Sequence, residues 1–170
     1  MSICPELPPL NTLEQNNNNH AFFTNTSYEI YKNDFCENTV IFNGLPIKTN
    51  TTLNHNLQQI GFEHITTKDI QQGNIKDLRT YNNSRIERVP WIKYLIEHSC
   101  DCENYRCFKN YRNNRERTII WCVKERYVII LEKRTDSYFL ITAYCLIYKK
   151  AEEKLEREYN NYLKNQKRLS

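Results

Sequence analysis

RTIIWCVKERYVIILEKRTDSYFLITAYCLIY, residues 117–148, is the stretch on which the fold turns. It holds three runs dense in β-branched and aromatic residues, 117–123, 126–132 and 137–148, a composition that suits pleated, half-buried strands. Only Lys124 and Glu125 separate the first two runs, which predicts an antiparallel hairpin, and KRTDS joins the second to the third in the same way. In the third run Phe139, Ile141, Ala143, Cys145 and Ile147 alternate with Tyr138, Leu140, Thr142, Tyr144, Leu146 and Tyr148. A period of two predicts an apolar core face and a second face that carries four hydroxyls.

Working outward, YRCF at 105–108 reads as a fourth strand. Ala151, Leu155, Tyr159, Tyr162 and Leu163 form an apolar stripe on a charged helix over about 149–165. Upstream, Leu53, Leu57 and Ile60 recur at helical spacing, with Thr51 or Thr52 as N-cap and Gly61 as terminator, which predicts a helix of about nine residues. EHITTKDI then reads as extended or turning chain, and QQGNIKDLRTYNN as a polar loop. Ser84 is placed to cap one short helix, and Pro90 opens another at its first turn, where its missing N–H costs no helical bond. The expected architecture is α+β: N-terminal helices packed on a small antiparallel meander of three to four strands, closed by a C-terminal amphipathic helix. Residues 1–50, with the run EQNNNNHA, read as an Asn-rich, partly ordered arm, whose apolar patches HAFFTNTSYEIY and NTVIFNGLPI are able to add a strand or wrap around the main domain, residues 51–170.

Composition narrows the function classes. No run approaches the roughly 18 apolar residues of a membrane span, and MSICPELPPL lacks the pattern of a secretory signal, so a soluble cytosolic chain is expected. Seven cysteines, an odd number, then read as free thiols or metal ligands rather than a disulfide framework. Residues 1–80 hold 5 Lys+Arg against 8 Asp+Glu, leaving 19 against 12 for residues 81–170. The basic half is also the aromatic half. Cations neutralise phosphates and rings stack on unpaired bases, so this pairing points to a nucleic-acid partner, with a mixed-charge solvated surface as the equal alternative.

In order and spacing, GFEHITTKD, RIERVPWIKYLIE, YVIILEKRTDSYFLITAY and KKAEEKLEREY resemble the phage-associated branch of the barnase, EndoU, colicin and RelE-like ribonuclease superfamily. ERVPWIK and LITAY are the most specific pieces, and the likeness covers roughly residues 54–160. The resemblance implies a metal-independent endoribonuclease of toxin type that cuts cellular RNA, tRNA included, without a cofactor. It also implies an inhibitor protein, antitoxin or immunity, made by the producing cell. Such chemistry uses the neighbouring 2′-OH as nucleophile, so the protein has only to move protons and stabilise charge on phosphoryl oxygens.

By that resemblance His64 is the general acid or base, suited by a pKa near neutrality. Arg88 clamps phosphate, and Thr142 and Tyr144, two apart on one strand, offer hydroxyls to the reacting group from the sheet face under the His64 segment. Lys68, Arg85 and Lys93 are further phosphate contacts. Each has a structural alternative: a packing histidine, a solvated lysine, an Arg88 salt bridge to Glu87 or Glu125, hydroxyls bonded to nearby backbone. Trp91 reads as a core anchor before a base platform. His98, Cys100, Cys102 and Cys107 form a competing constellation with zinc-ligand chemistry but Cys-x-Cys in place of Cys-x₂-Cys, so free thiols are the first reading. Two other classes remain: a noncatalytic RNA-binding module on the same basic face, and a phage-related structural or regulatory protein with zinc as a folding element.

Overall fold

In the computed structural model, residues 6–69, 79–99 and 104–169 are described. The three runs that opened the sequence reading form strands β6 (Arg115–Cys122), β7 (Tyr127–Lys133) and β8 (Tyr138–Cys145), and β5 (Tyr105–Arg112) precedes them in one antiparallel meander. Asn113 and Asn114, at φ 52° and 59°, make the β5–β6 turn, since asparagine tolerates the left-handed region that tight hairpins demand.

The expected sheet of three to four strands is too small. A hairpin of β1 (Ile41–Phe42) and β2 (Leu45–Lys48) turns at Asn43 and Gly44 (φ 48° and 78°) and adds to β8 in parallel, with Ile47 opposite Tyr138 and Lys48 opposite Phe139. The result is a mixed six-stranded sheet in the order β1-β2-β8-β7-β6-β5. A separate two-stranded ribbon pairs β3 (Thr67–Asp69) with β4 (Arg79–Tyr81). The patch NTVIFNGLPI thus does add to the sheet, and its Asn-Gly turn between apolar residues makes it a hairpin.

Helices cover both faces of the large sheet. On one face, α1 (His20–Lys32) and α4 (Val89–Glu97), with α2 (Ile60–Thr66) and the short α3 (Asn83–Ile86) at the sheet edge, bury Tyr28, Tyr31, Phe62, Ile65, Trp91, Ile92, Leu95 and Ile96 against Tyr105, Ile120, Ile129, Leu131, Leu140 and Ala143. On the other, α5 (Lys149–Leu169) lays Leu155, Ala151, Tyr159 and Tyr162 over Phe108, Ile119, Trp121, Val128 and Ile130. The segment read as an arm thus supplies α1, whose Phe23 and Tyr31 are wholly buried. Ser27 on the same helix donates to the Ile86 carbonyl at 3.0 Å. Trp91 is a core anchor: its indole N–H donates to the Pro8 carbonyl at 2.7 Å and its ring meets Tyr127 edge-on.

Two local expectations fail for identifiable reasons. The helix expected near 53–61 lies instead at 60–66, with Gly61 in its first turn. The Asn54 side chain accepts from the backbone N–H groups of Asn56 and Gln58, Leu57 turns left-handed (φ 58°), and Leu53 bridges Gln59. Local side-chain bonding of this kind competes with a helix and here overrides the apolar spacing. Asn82, rather than Ser84, caps α3 by accepting from Arg85 N at 3.1 Å. Pro90 does sit in the first turn of α4. Among the described residues no helix is long and apolar enough to cross a membrane.

Candidate nucleic-acid interface

One discontinuity in β8 decides which side chains face where. Ile130 lies opposite Thr142 and Leu131 opposite Leu140, so Ile141 has no partner and forms a β-bulge. Residues directly opposite share a face, so Leu140 points with Leu131 to the α1/α4 core, while Thr142 and Tyr144 point with Ile130 and Val128 to the α5 side. The unbroken alternation expected from the sequence is therefore corrected: the bulge separates Tyr138 and Leu140 from Thr142 and Tyr144, and Ala143 joins the core face instead.

β2 pairs with β8 only at Tyr138 and Phe139. Beyond that point, among the described residues, no strand takes the outer edge of β8, and α2 and α3 lie beside it. Two hollows open along this line. The larger, about 240 Å³, lies between α2 and β8 and is lined by Asn50, Ile60, Gly61, His64, Phe139, Leu140 and Ile141. The smaller, about 80 Å³, is lined by Lys68, Asn82, Ser84, Arg85, Cys145 and Ile147.

His64 is set in the larger hollow by α2, whose Phe62 and Ile65 are buried on the other side. Partial desolvation, then the charges of Arg79 and Arg85, push its pKa down from 6.5, with Asp69 opposing them, although the side chain is still exposed to solvent. Its ring makes no hydrogen bond with the described residues. Arg79, which the sequence reading passed over inside a polar loop, is the keystone of this corner. It donates to Thr67 Oγ1 (2.7 Å), to the carbonyls of His64 (3.2 Å) and Thr67 (3.1 Å), and to Asp69 (2.8 Å). A guanidinium on the last carbonyls of a helix satisfies acceptors that have no helical partner and complements the dipole. No local pattern around Arg79 marks such a role, because the carbonyls it serves are 12 to 15 residues away.

Arg85 joins the group. Its Nη1 donates to the Thr67 carbonyl at 2.7 Å and its guanidinium lies 6.0 Å from the centre of the Tyr144 ring, linking α3 to the α5-side face around the sheet edge. Burial raises the Tyr144 pKa, with Arg112 and Arg85 lowering it and Glu158 raising it, so the phenol stays protonated. Lys68 is exposed and lines the smaller hollow with Arg85. Arg88 borders the same end: it donates to the Ser84 carbonyl at 2.9 Å, approaches Glu87 at 3.6 Å and stacks over Trp91 at 5.0 Å. Its charge, with that of Arg85, opposes the upward push of burial on the Cys145 thiol.

The structure thus gathers His64, Lys68, Arg85 and Arg88 along the β8 edge, with Tyr144 against Arg85. Thr142 is half-buried with Tyr144 on the α5 side. The face that carries these hydroxyls is thus not, as expected, the one under the His64 segment, because Phe62 and Ile65 of α2 pack into the core on the α1/α4 side. Lys93 is not part of the group: it lies 4.0 Å from Glu97 on α4, where its charge acts on Asp34 in the π-helical turn that follows α1. Of the zinc alternative, Cys100 and Cys102 lie outside the described residues. His98 stacks on Tyr94 with Nδ1 2.9 Å from the Tyr94 carbonyl, and Cys107 packs against the main core from β5. Among the described residues no three His, Cys, Asp or Glu side chains form a metal-binding group.

At the other end of the edge, Arg134 sits 4.2 Å from the centre of the Phe139 ring. Cations thus stand at both ends of a strand segment of about 20 Å, with the His64 imidazole between them. No protein-family model, no curated protein and no solved structure matches this chain.

Proposed function

We propose that the chain is a metal-independent endoribonuclease of toxin type, acting on cytosolic RNA that runs along the outer edge of β8. The observation that carries this reading is the position of His64, exposed to solvent where it lines the hollow between α2 and β8, with Lys68 and Arg85 lining the adjoining hollow. A neutral imidazole takes the proton of a 2′-OH, whose oxygen then attacks the adjacent phosphorus. Arg85 and Lys68 stabilise the charge that builds on the nonbridging oxygens, Arg through its fork and Lys as a point charge. The 5′-oxygen leaves with a proton from solvent, to which the hollow is open, and a 2′,3′-cyclic phosphate remains. Such an activity obliges the producing cell to hold an inhibitor protein.

Purified protein incubated with total RNA in EDTA is the test. Cleavage that is lost in His64→Ala supports the reading; intact RNA with both proteins rejects it. A noncatalytic RNA-binding module is the second reading, favoured by the bonds Arg79 and Arg85 already make to the His64 and Thr67 carbonyls. It predicts salt-sensitive RNA binding that persists in His64→Ala without cleavage products.

A further inference from the structure

We propose that the hollow between α2 and β8 receives a single unpaired nucleobase, which makes single-stranded RNA the substrate class. This rests on the reading of the β8 edge as the RNA path. Its volume of about 240 Å³ falls below the range of roughly 300–1,000 Å³ typical of sites that enclose a whole small molecule, and it is open along one side. One planar ring system attached to a chain that continues outside it suits those dimensions.

The lining is apolar on most sides: Ile60, Leu140 and Ile141 with the ring of Phe139, the kind of surface on which bases stack. The polar groups are few and directional. Asn50 is exposed at the rim, and its side-chain oxygen is already engaged, accepting from Thr52 N at 3.1 Å. Its backbone carbonyl is engaged as well, accepting from Gly61 N at 3.0 Å. Asn50 also carries an amide N–H₂, a donor at the rim that fits the acceptor edge of a base. Gly61 contributes to the wall beside Asn50, and its missing Cβ leaves room for the buried Tyr31 hydroxyl behind it. Arg134, 4.2 Å from the Phe139 ring, and the pair Lys68 and Arg85 beyond His64 stand on either side, where the flanking phosphates of an extended strand would run. A duplex keeps its bases stacked inside, out of reach of such a hollow.

The test uses oligonucleotides with 2′-deoxy sugars, which lack the nucleophile and report binding alone. A 2-aminopurine is moved through each position of a single strand, with the matched duplex alongside. The inference predicts that the single strand binds more tightly than the duplex and that one position gives a fluorescence change on binding. Phe139→Ala and Asn50→Ala should abolish that change, and Phe139→Ala should weaken binding about 5- to 150-fold. Asn50 is exposed, so its variant folds even where Phe139→Ala does not. Equal binding of strand and duplex, or no binding, or an unchanged signal in Asn50→Ala, overturns the inference. Base insertion without cleavage of the matching RNA counts against the nuclease alone, and cleavage that ignores strandedness counts against the base hollow alone.

Discussion

Gly61 sits where a larger residue has no room. A Cβ built there collides with the hydroxyl of Tyr31, itself wholly buried, and comes within 3.0 Å of the Asn50 carbonyl. Gly61→Ala should therefore destabilise the fold by about 1–3 kcal/mol, the usual cost of overpacking, seen as a lower Tm. An unchanged melting curve would show that Tyr31 yields at no cost. Next to it, His64 carries a pKa below 6.5 because burial and two guanidiniums disfavour its charged form. For a histidine lowered in this way, the contribution to stability is present above about pH 6.5 and is lost as pH falls through the lowered value. The same titration sets the acid limb of kcat/KM, because only the neutral ring accepts a proton. RNA cleavage should lose activity with a midpoint below pH 6.5; an acid limb above that value would mean another base.

At the scale of elements, α5 is held by apolar contact more than by its ion pairs. Leu155 is buried against the sheet, whereas Glu156 meets Arg106, Glu158 meets Arg112 at 3.5 Å and Glu152 meets Arg126 at 3.0 Å, all partly in water. Leu155→Ala should cost about 2–5 kcal/mol in denaturant unfolding, and Glu156→Ala no more than about 1 kcal/mol. The reverse order would assign α5 to electrostatics. Much at this scale was legible in the sequence. The β-branched runs and short connections specified the meander of β5 to β8, the stripe at 151–163 specified α5, and Pro90 marked the start of α4. What escaped was set by contacts distant in sequence or by local polar bonds. Asn54 unmade the expected helix at 53–61, the β1–β2 hairpin was concealed in an Asn-rich region, and the Ile141 bulge is a misfit to β7 that period-two alternation does not foresee. The same division holds for the site: His64, Lys68 and Arg85 were readable as residue types, while Arg79, Phe139 and Asn50 gain their places only through the fold.

Over the whole molecule, the basic excess of residues 81–170 is largely consumed in pairing. Glu132, buried, draws Arg115 at 2.8 Å, Arg117 at 3.5 Å and Arg134 at 3.6 Å, and Lys109 meets Glu116 at 3.1 Å. A short track of cations along β8 therefore predicts a modest dependence of RNA binding on salt. Two to three phosphate contacts by Lys68, Arg85 and Arg88 give a slope of log K against log salt of about −1.5 to −2 on a single strand. Lys68→Ala should reduce its magnitude by about 0.7. A slope that Lys68→Ala leaves unchanged would place the RNA elsewhere on the surface.

The central claim is that His64 drives attack by a 2′-OH at the edge of β8 without metal. The mass of the fragment ends from a defined single-stranded RNA, cut in EDTA, tests it most directly. The account predicts 2′,3′-cyclic phosphate and 5′-hydroxyl ends with the wild type and none with His64→Ala; 5′-phosphate ends, uncut RNA, or equal cutting by His64→Ala would contradict it.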